Sequence, residues 1–181
     1  MAQATTLHHF AIDLANVDRD VYRAFEFKAA RHPSESGEYF AVRVLAYALE
    51  HAEGIAFSKG GISDPDEPAI VIRDLTGAIR SWIEVGTPSA ERLHKASKSA
   101  PRVAAYLHRD PAPYVKQLAR ERIHRASEIE LYVIERPVID SLAARLERRM
   151  SLGVSVTESR LFVTVGSDVI DGAIERVAIA S

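Results

Sequence analysis

The stretch WIEVGTP, residues 82–88, decides how the rest of the chain is read. It reads as a strand that stops at Gly86 and hands over to a helix behind Thr87 and Pro88. Strand side chains alternate, so Trp82, Glu84 and Gly86 share one face while Ile83 and Val85 share the other. Glu84 is then a single carboxylate bracketed by apolar residues near a strand end. In metal-dependent nucleases such a strand often ends Glu-x-Lys, with the carboxylate on a divalent cation and the lysine serving the reacting phosphate. Here Gly86 stands where the lysine would be.

Upstream, AIVIRDLTGAIRSWIEVG (69–86) predicts an antiparallel hairpin, strands 69–73 and 79–85, turning at DLTG with Asp first and Gly last. Two registers are open. A four-residue turn pairs Arg73 with Ala78 and sets Glu67 opposite Glu84; a three-residue loop sets Pro68 opposite Glu84 and Asp66 diagonal to it. Either brings a carboxylate of DPDEP (64–68) close to Glu84. Opposed like charges on neighbouring strands cost up to ~1 kcal/mol. A bound Mg²⁺, which uses one or two carboxylates with water and phosphate oxygens, would reverse that sign. SDPDEP is equally the composition of a solvated turn.

Downstream, TPSAERLHKASKSA (87–100) predicts a helix capped by Thr87 with Pro88 in its first position. Glu91, Lys95 and Lys98 lie on one face of it, so Lys95 could reach a site that a strand lysine would serve, or simply pair with Glu91 on the surface. Further back, RHPSESGEYFAVRVLAYALEHAE (31–53) has helical spacing, with Ser34 or Ser36 as its cap. Val42, Leu45 and Leu49 form its apolar stripe, and four residues before Val42 stands Glu38. Glu38 either bonds Arg31 or Arg43, reaches solvent, or faces the hairpin carboxylates.

The remaining elements follow from local pattern. Residues 6–13 and 21–29 alternate and read as a hairpin, and IAFSK (55–59) as a short strand. RVAAYLH (102–108) and EIELYVI (128–134) read as strands, PYVKQLARERIHRAS (113–127) and PVIDSLAARLERRM (137–150) as helices, and GVSVTES, RLFVTVG and AIERVAI as closing strands. The middle order is helix, three strands, helix, strand, which predicts an α+β, or mixed α/β, fold. No linker divides it, so residues 1–181 are expected to form one domain.

Composition narrows the classes. The chain has 181 residues, 47 % hydrophobic and 27 % charged, with no cysteine. That removes a disulfide scaffold, a zinc–thiolate site and a cysteine nucleophile, and suits a reducing, cytoplasmic setting. No apolar run approaches the roughly 20 residues that span a bilayer, and the start does not read as a signal peptide. The net charge is −2, yet nine Lys/Arg against Asp110 and Glu121 fall between Arg92 and Arg125. Such a segment attracts nucleic-acid phosphates or is a set of solvated helix faces.

Several separate strings then converge: ARHPSE at 30–35, FSKG at 57–60, DEP at 66–68, WIEVGTP at 82–88 and ERLHKA at 91–96. In this order they resemble the bacterial YaeQ-like proteins. The resemblance runs from end to end, is densest between 30 and 98, and thins after about 110. It implies a PD-(D/E)XK nuclease-like αβββαβ core with additional N- and C-terminal strands. Position by position, it implies that the first-helix acid is Glu38, or less favourably Glu35, that the "PD" acid is Asp66 or Glu67, and that the strand acid is Glu84. Gly86 departs from the pattern, and Lys95 on the following helix is the implied replacement. Relatives also carry paired tryptophans near Tyr114 and Val115, which this chain lacks. The expected function is then Mg²⁺-dependent phosphodiester hydrolysis, with Asp66 or Glu67 and Glu84 on the metal and Glu84, Lys95 and Glu38 in catalysis. The alternative is a non-catalytic module that binds nucleic acid or a protein partner.

Overall fold

A computed structural model describes residues 4–59 and 66–179. The expected DPDEP and FSKG segments therefore fall partly outside the described residues, at 64–65 and at 60. The chain divides into two compact units, Met1–Leu49 with Ile134–Ile174, and Glu50–Val133 with Glu175–Ser181.

The first unit contains β1 (Thr6–Asn16), β2 (Val21–Arg31), α1 (Gly37–Glu50, its last residue in the second unit), α4 (Arg136–Ala143), β8 (Arg149–Thr157), β9 (Arg160–Val165) and most of β10 (Asp168–Val177). Its strands run in the order β2-β1-β8-β9-β10. The β1–β2 hairpin pairs over the full eleven residues of each strand, from Thr6 opposite Arg31 to Asn16 opposite Val21, longer than sequence alternation alone predicts. β8 joins β1 in parallel, Phe10 beside Met150. Inward residues Phe10, Ile12 and Leu14 are buried, as period-two alternation requires. α1 is buried on nearly every side from Phe40 onward, the expected state of a helix apolar all round. Phe40 packs on His8 with ring centres 4.8 Å apart, and Tyr47 on Phe27 at 4.4 Å. Of the two candidate caps, Ser36 serves: its Oγ accepts from Tyr39 N at 3.1 Å.

The second unit contains β3 (Ile55–Phe57), β4 (Ile70–Arg73), β5 (Ile79–Val85), α2 (Ala90–Ser99), β6 (Arg102–Leu107), α3 (Pro111–Leu118), a single 3₁₀ turn (Ala126–Glu128) and β7 (Glu130–Ile134, its last residue in the first unit). Its strands run β7-β6-β5-β4-β3, with β5, β6 and β7 parallel. Leu93 and Ala96 of α2, Ala100 at its C-cap, Leu118 of α3, and Ile123 and Ile129 beyond it pack with Trp82, Val103, Ala105 and Leu131 in one apolar cluster. α2, α3 and the segment after α3 therefore form one layer on these strands.

The nuclease-like αβββαβ core is not the architecture. Among the described residues there are ten strands in mixed directions and four helices. The run α1-β3-β4-β5-α2-β6 exists along the chain, but α1 up to Leu49 belongs to the first unit with β1 and β2, while β3 to β6 and α2 belong to the second. Linear order cannot reveal this. A helix joins the surface that buries its apolar side chains, and for α1 that surface carries His8, Phe10 and Phe27. Two boundaries also shift. Helix 137–150 stops at Ala143, and Arg149 and Met150 enter β8, where parallel pairing with β1 outweighs helix propensity. Helix 113–127 stops at Leu118. No described helix is long and apolar enough to cross a membrane.

Candidate functional site

The β4–β5 hairpin turns at Asp74–Gly77. Asp74 Oδ1 accepts from Thr76 N at 2.9 Å and Ala78 N at 3.1 Å, which is what an aspartate at the head of a turn does. The register is neither expected one. A bulge between Ile72 and Arg73 sets Ile70 opposite Ile83 and Val71 opposite Trp82, so the count continued outward brings Ala69, not Pro68 or Glu67, level with Glu84.

Every residue of β5 from Ser81 to Val85 is buried. Glu84 is only 5 % exposed. Its Oε1 accepts from Trp82 Nε1 at 2.6 Å and from Arg92 Nε at 2.7 Å. Trp82 and Glu84 share a strand face, so a buried indole N–H that needs an acceptor finds one two residues on. Arg92 also donates from Nη2 to the Glu67 carbonyl at 2.6 Å. Burial pushes the Glu84 carboxyl above the usual glutamate range, against the opposing pull of Trp82 and Arg92. The same burial, with the Glu84 charge nearby, raises the Tyr114 phenol, whose hydroxyl donates to the Pro88 carbonyl at 2.6 Å.

Arg92 reaches Glu84 because of the cap. The helix starts two residues later than Thr87 predicts: Ser89 is the N-cap, its Oγ accepting from Arg92 N at 3.1 Å, and α2 begins at Ala90. Arg92 is thus the third helical residue, beside the strand end. Lys95, one turn on, is bonded to Asp66 instead, and both side chains are substantially exposed. That contact, with Arg92 nearby, holds the Asp66 carboxyl below the usual range. Glu67 Oε2 accepts from Ser58 Oγ at 2.9 Å and Lys59 N at 3.1 Å. Lys95, Asp66, Glu67 and Glu84 are therefore all carried by the segments around β4, β5 and α2, but the cation on Glu84 is Arg92. Glu38 sits in the first turn of α1, in the other unit, half-buried. Its neighbour Glu35 is 4 % exposed and bonds Arg43, Nε to Oε1 at 2.7 Å and Nη2 to Oε2 at 3.1 Å.

Gly86 has a reason of its own. Its φ is +86°, and its N–H donates to the Tyr106 carbonyl at 2.9 Å as the chain leaves the sheet. L side chains rarely adopt that conformation, so a lysine is disfavoured there by backbone geometry. Replacing Gly86 by lysine is expected to lower stability by about 1–3 kcal/mol, read as a fall in the urea midpoint.

Tested against a divalent cation, the donor set does not fit. Asp66, Glu67 and Glu84 each have protein partners, and among the described residues no group of three or more His, Asp or Glu side chains is arranged to hold a metal ion. Sequence reading missed Arg92. The signal was present in the pairing of Trp82 and Glu84 on one face followed by Ser89-x-x-Arg92.

The arrangement defines a class: a mixed-strand protein whose acidic strand end is closed by an arginine from the next helix. The comparisons make it specific. The family described as "YaeQ protein" matches residues 1–173, and the chain belongs to the YaeQ family. It is similar to the "Uncharacterized protein YaeQ" of Escherichia coli strain K12, 26 % identical over 165 residues, 91 % of each chain. It is also similar in structure to the YaeQ protein of Pseudomonas syringae, with a TM-score of 0.87, 30 % identity and 98 % of each chain covered. The YaeQ protein from Xanthomonas axonopodis pv. citri superposes with a TM-score of 0.88 at 23 % identity, covering 98 % of this chain and 100 % of that one.

Proposed function

We propose that this protein is a non-catalytic module that binds the phosphate backbone of nucleic acid through the α2–α3 layer of its second unit. The observation that carries the non-catalytic part is the Arg92–Glu84 ion pair. A carboxylate meant for a metal must present its oxygens outward. Glu84 instead accepts from an indole and a guanidinium inside the protein.

The distribution of cations supports the binding part. Four of the nine Lys/Arg in the 92–125 segment pair internally: Arg92 with Glu84, Lys95 with Asp66, Arg102 with Glu50 and Glu130, and Arg125 with Glu128. The other five, Lys98, Arg109, Lys116, Arg120 and Arg122, are exposed, and among the described residues none bonds a carboxylate. They lie on or beside α2 and α3, on the solvent side of the layer whose apolar side covers the sheet. Binding of this kind is electrostatic and weakens steeply with salt.

The test replaces Lys98, Lys116 and Arg120 by glutamine. Arg102 is left alone because its guanidinium is held by two carboxylates inside the unit. Binding to a labelled oligonucleotide is measured against salt concentration. The slope of log affinity on log salt is expected to fall by about one unit per cation removed, equally for unrelated sequences. An unchanged slope would return these residues to plain surface charge.

A further inference from the structure

The ARHPSE string contributes to a second feature, in the first unit and independent of the basic layer. A cavity of about 540 Å³ opens beside the start of α1, lined by His8, Arg31, His32, Glu147 and Arg148. Its hydrogen bonding fixes what it presents. His32 Nδ1 accepts from Ser34 N at 3.1 Å and lies 2.6 Å from Ser34 Oγ. The neutral ring therefore carries its proton on Nε2, as a donor. Arg31 donates from Nε and Nη2 to the Glu35 carbonyl at 3.4 and 3.3 Å and stacks over Phe40. No carboxylate neutralises it, because the Glu35 carboxylate is held by Arg43. Arg148 is exposed and has no carboxylate partner among the described residues. His8, 6 % exposed, donates from Nδ1 to the Glu147 carbonyl at 2.9 Å, which leaves Nε2 of the neutral ring an acceptor. Among the described residues lining it, Glu147, exposed, is the one acid.

Two guanidiniums and an imidazole N–H at one cavity, with one buried imidazole acceptor, match a tetrahedral oxyanion that has several acceptor oxygens and one O–H to give. A carboxylate has too few oxygens for this set, and sulfate has no proton for His8. The cavity is also much larger than a lone phosphate. We propose that it is a binding site for a small phosphate monoester, with Arg31, Arg148 and His32 on the phosphoryl oxygens, His8 accepting from the protonated one, and the organic group filling the remaining volume.

The test is a titration of the ¹⁵N-labelled full-length chain with phenyl phosphate at fixed ionic strength, followed by amide NMR shifts. Inorganic phosphate is run in parallel. Saturable shifts of the amides at 31–36 and 146–149 are expected at millimolar concentration, with inorganic phosphate weaker because it leaves the volume unfilled. Arg148→Gln, an exposed change that leaves the thermal midpoint in place, is expected to weaken phenyl phosphate about tenfold, the scale of one charged hydrogen bond. The proposal is overturned by the absence of saturable shifts at these amides, by an unchanged affinity in Arg148→Gln, or by inorganic phosphate binding as tightly as the ester.

Discussion

Replacing Arg92 by methionine is expected to cost about 3–5 kcal/mol of stability at neutral pH, far more than an exposed ion pair would. The Glu84 side chain is 6 % exposed and the Arg92 side chain 23 %. Methionine keeps most of the packing volume but leaves a buried carboxylate facing only the Trp82 indole. The loss should depend on pH with a definite sign. The Glu84 carboxyl already lies above the ordinary glutamate value because of burial. A raised acid binds its proton more readily folded than unfolded, so its contribution is largest below the unfolded value. That contribution is lost as pH rises through the folded value. Removing Arg92 raises the carboxyl further. The deficit of Arg92→Met relative to the parent should therefore shrink as pH falls from the variant's folded Glu84 value to the parent's, both above the ordinary glutamate value, and stay constant below. Urea midpoints across a pH series check this, with the denaturant slope unchanged if both proteins unfold in two states. A deficit independent of pH would mean that Arg92 acts through packing alone.

An equally large effect is expected at Glu35 and Arg43. Their side chains are 0 % and 7 % exposed, and the pair is bidentate. Arg43 further donates to the Ala30 carbonyl at 2.6 Å, and Glu35 accepts from His32 N at 3.1 Å. The pair thus ties the end of β2 to α1. Arg43→Met strands the Glu35 charge in the interior and should cost about 3–5 kcal/mol, while the double change Glu35→Met with Arg43→Met should recover a large part of it. Chemical denaturation of the two variants separates a stranded charge from lost packing: if the double variant is no more stable than the single, the charge is not the cause.

Some of this was legible in the residues. DLTG specified its turn because Asp74 and Gly77 are demanded by local geometry, and the alternation at 6–13 and 21–29 marked β1 and β2 as a hairpin. The shared face of Trp82 and Glu84 was readable too. The rest is set by tertiary contacts. The register of β4 on β5 turns on a bulge at Ile72/Arg73 that no residue advertises. The phase of α2 depends on Ser89 rather than Thr87 as its cap, and that choice carries Arg92, not Lys95, to Glu84. The membership of α1 depends on Phe40 and Tyr47 meeting His8, Phe10 and Phe27, contacts between segments far apart in the chain. Gly86 resembled a lost lysine in the string and is a backbone requirement in the fold.

The central claim is that the Glu84 charge is answered by Arg92 and not by a metal ion. Calorimetric titration of the protein and of Glu84→Gln with Mn²⁺, in the presence of a bound oligonucleotide, tests it most directly. The same titration heats are expected for both proteins, with no site that depends on Glu84. Stoichiometric Mn²⁺ binding that is present in the parent and lost in Glu84→Gln would contradict it.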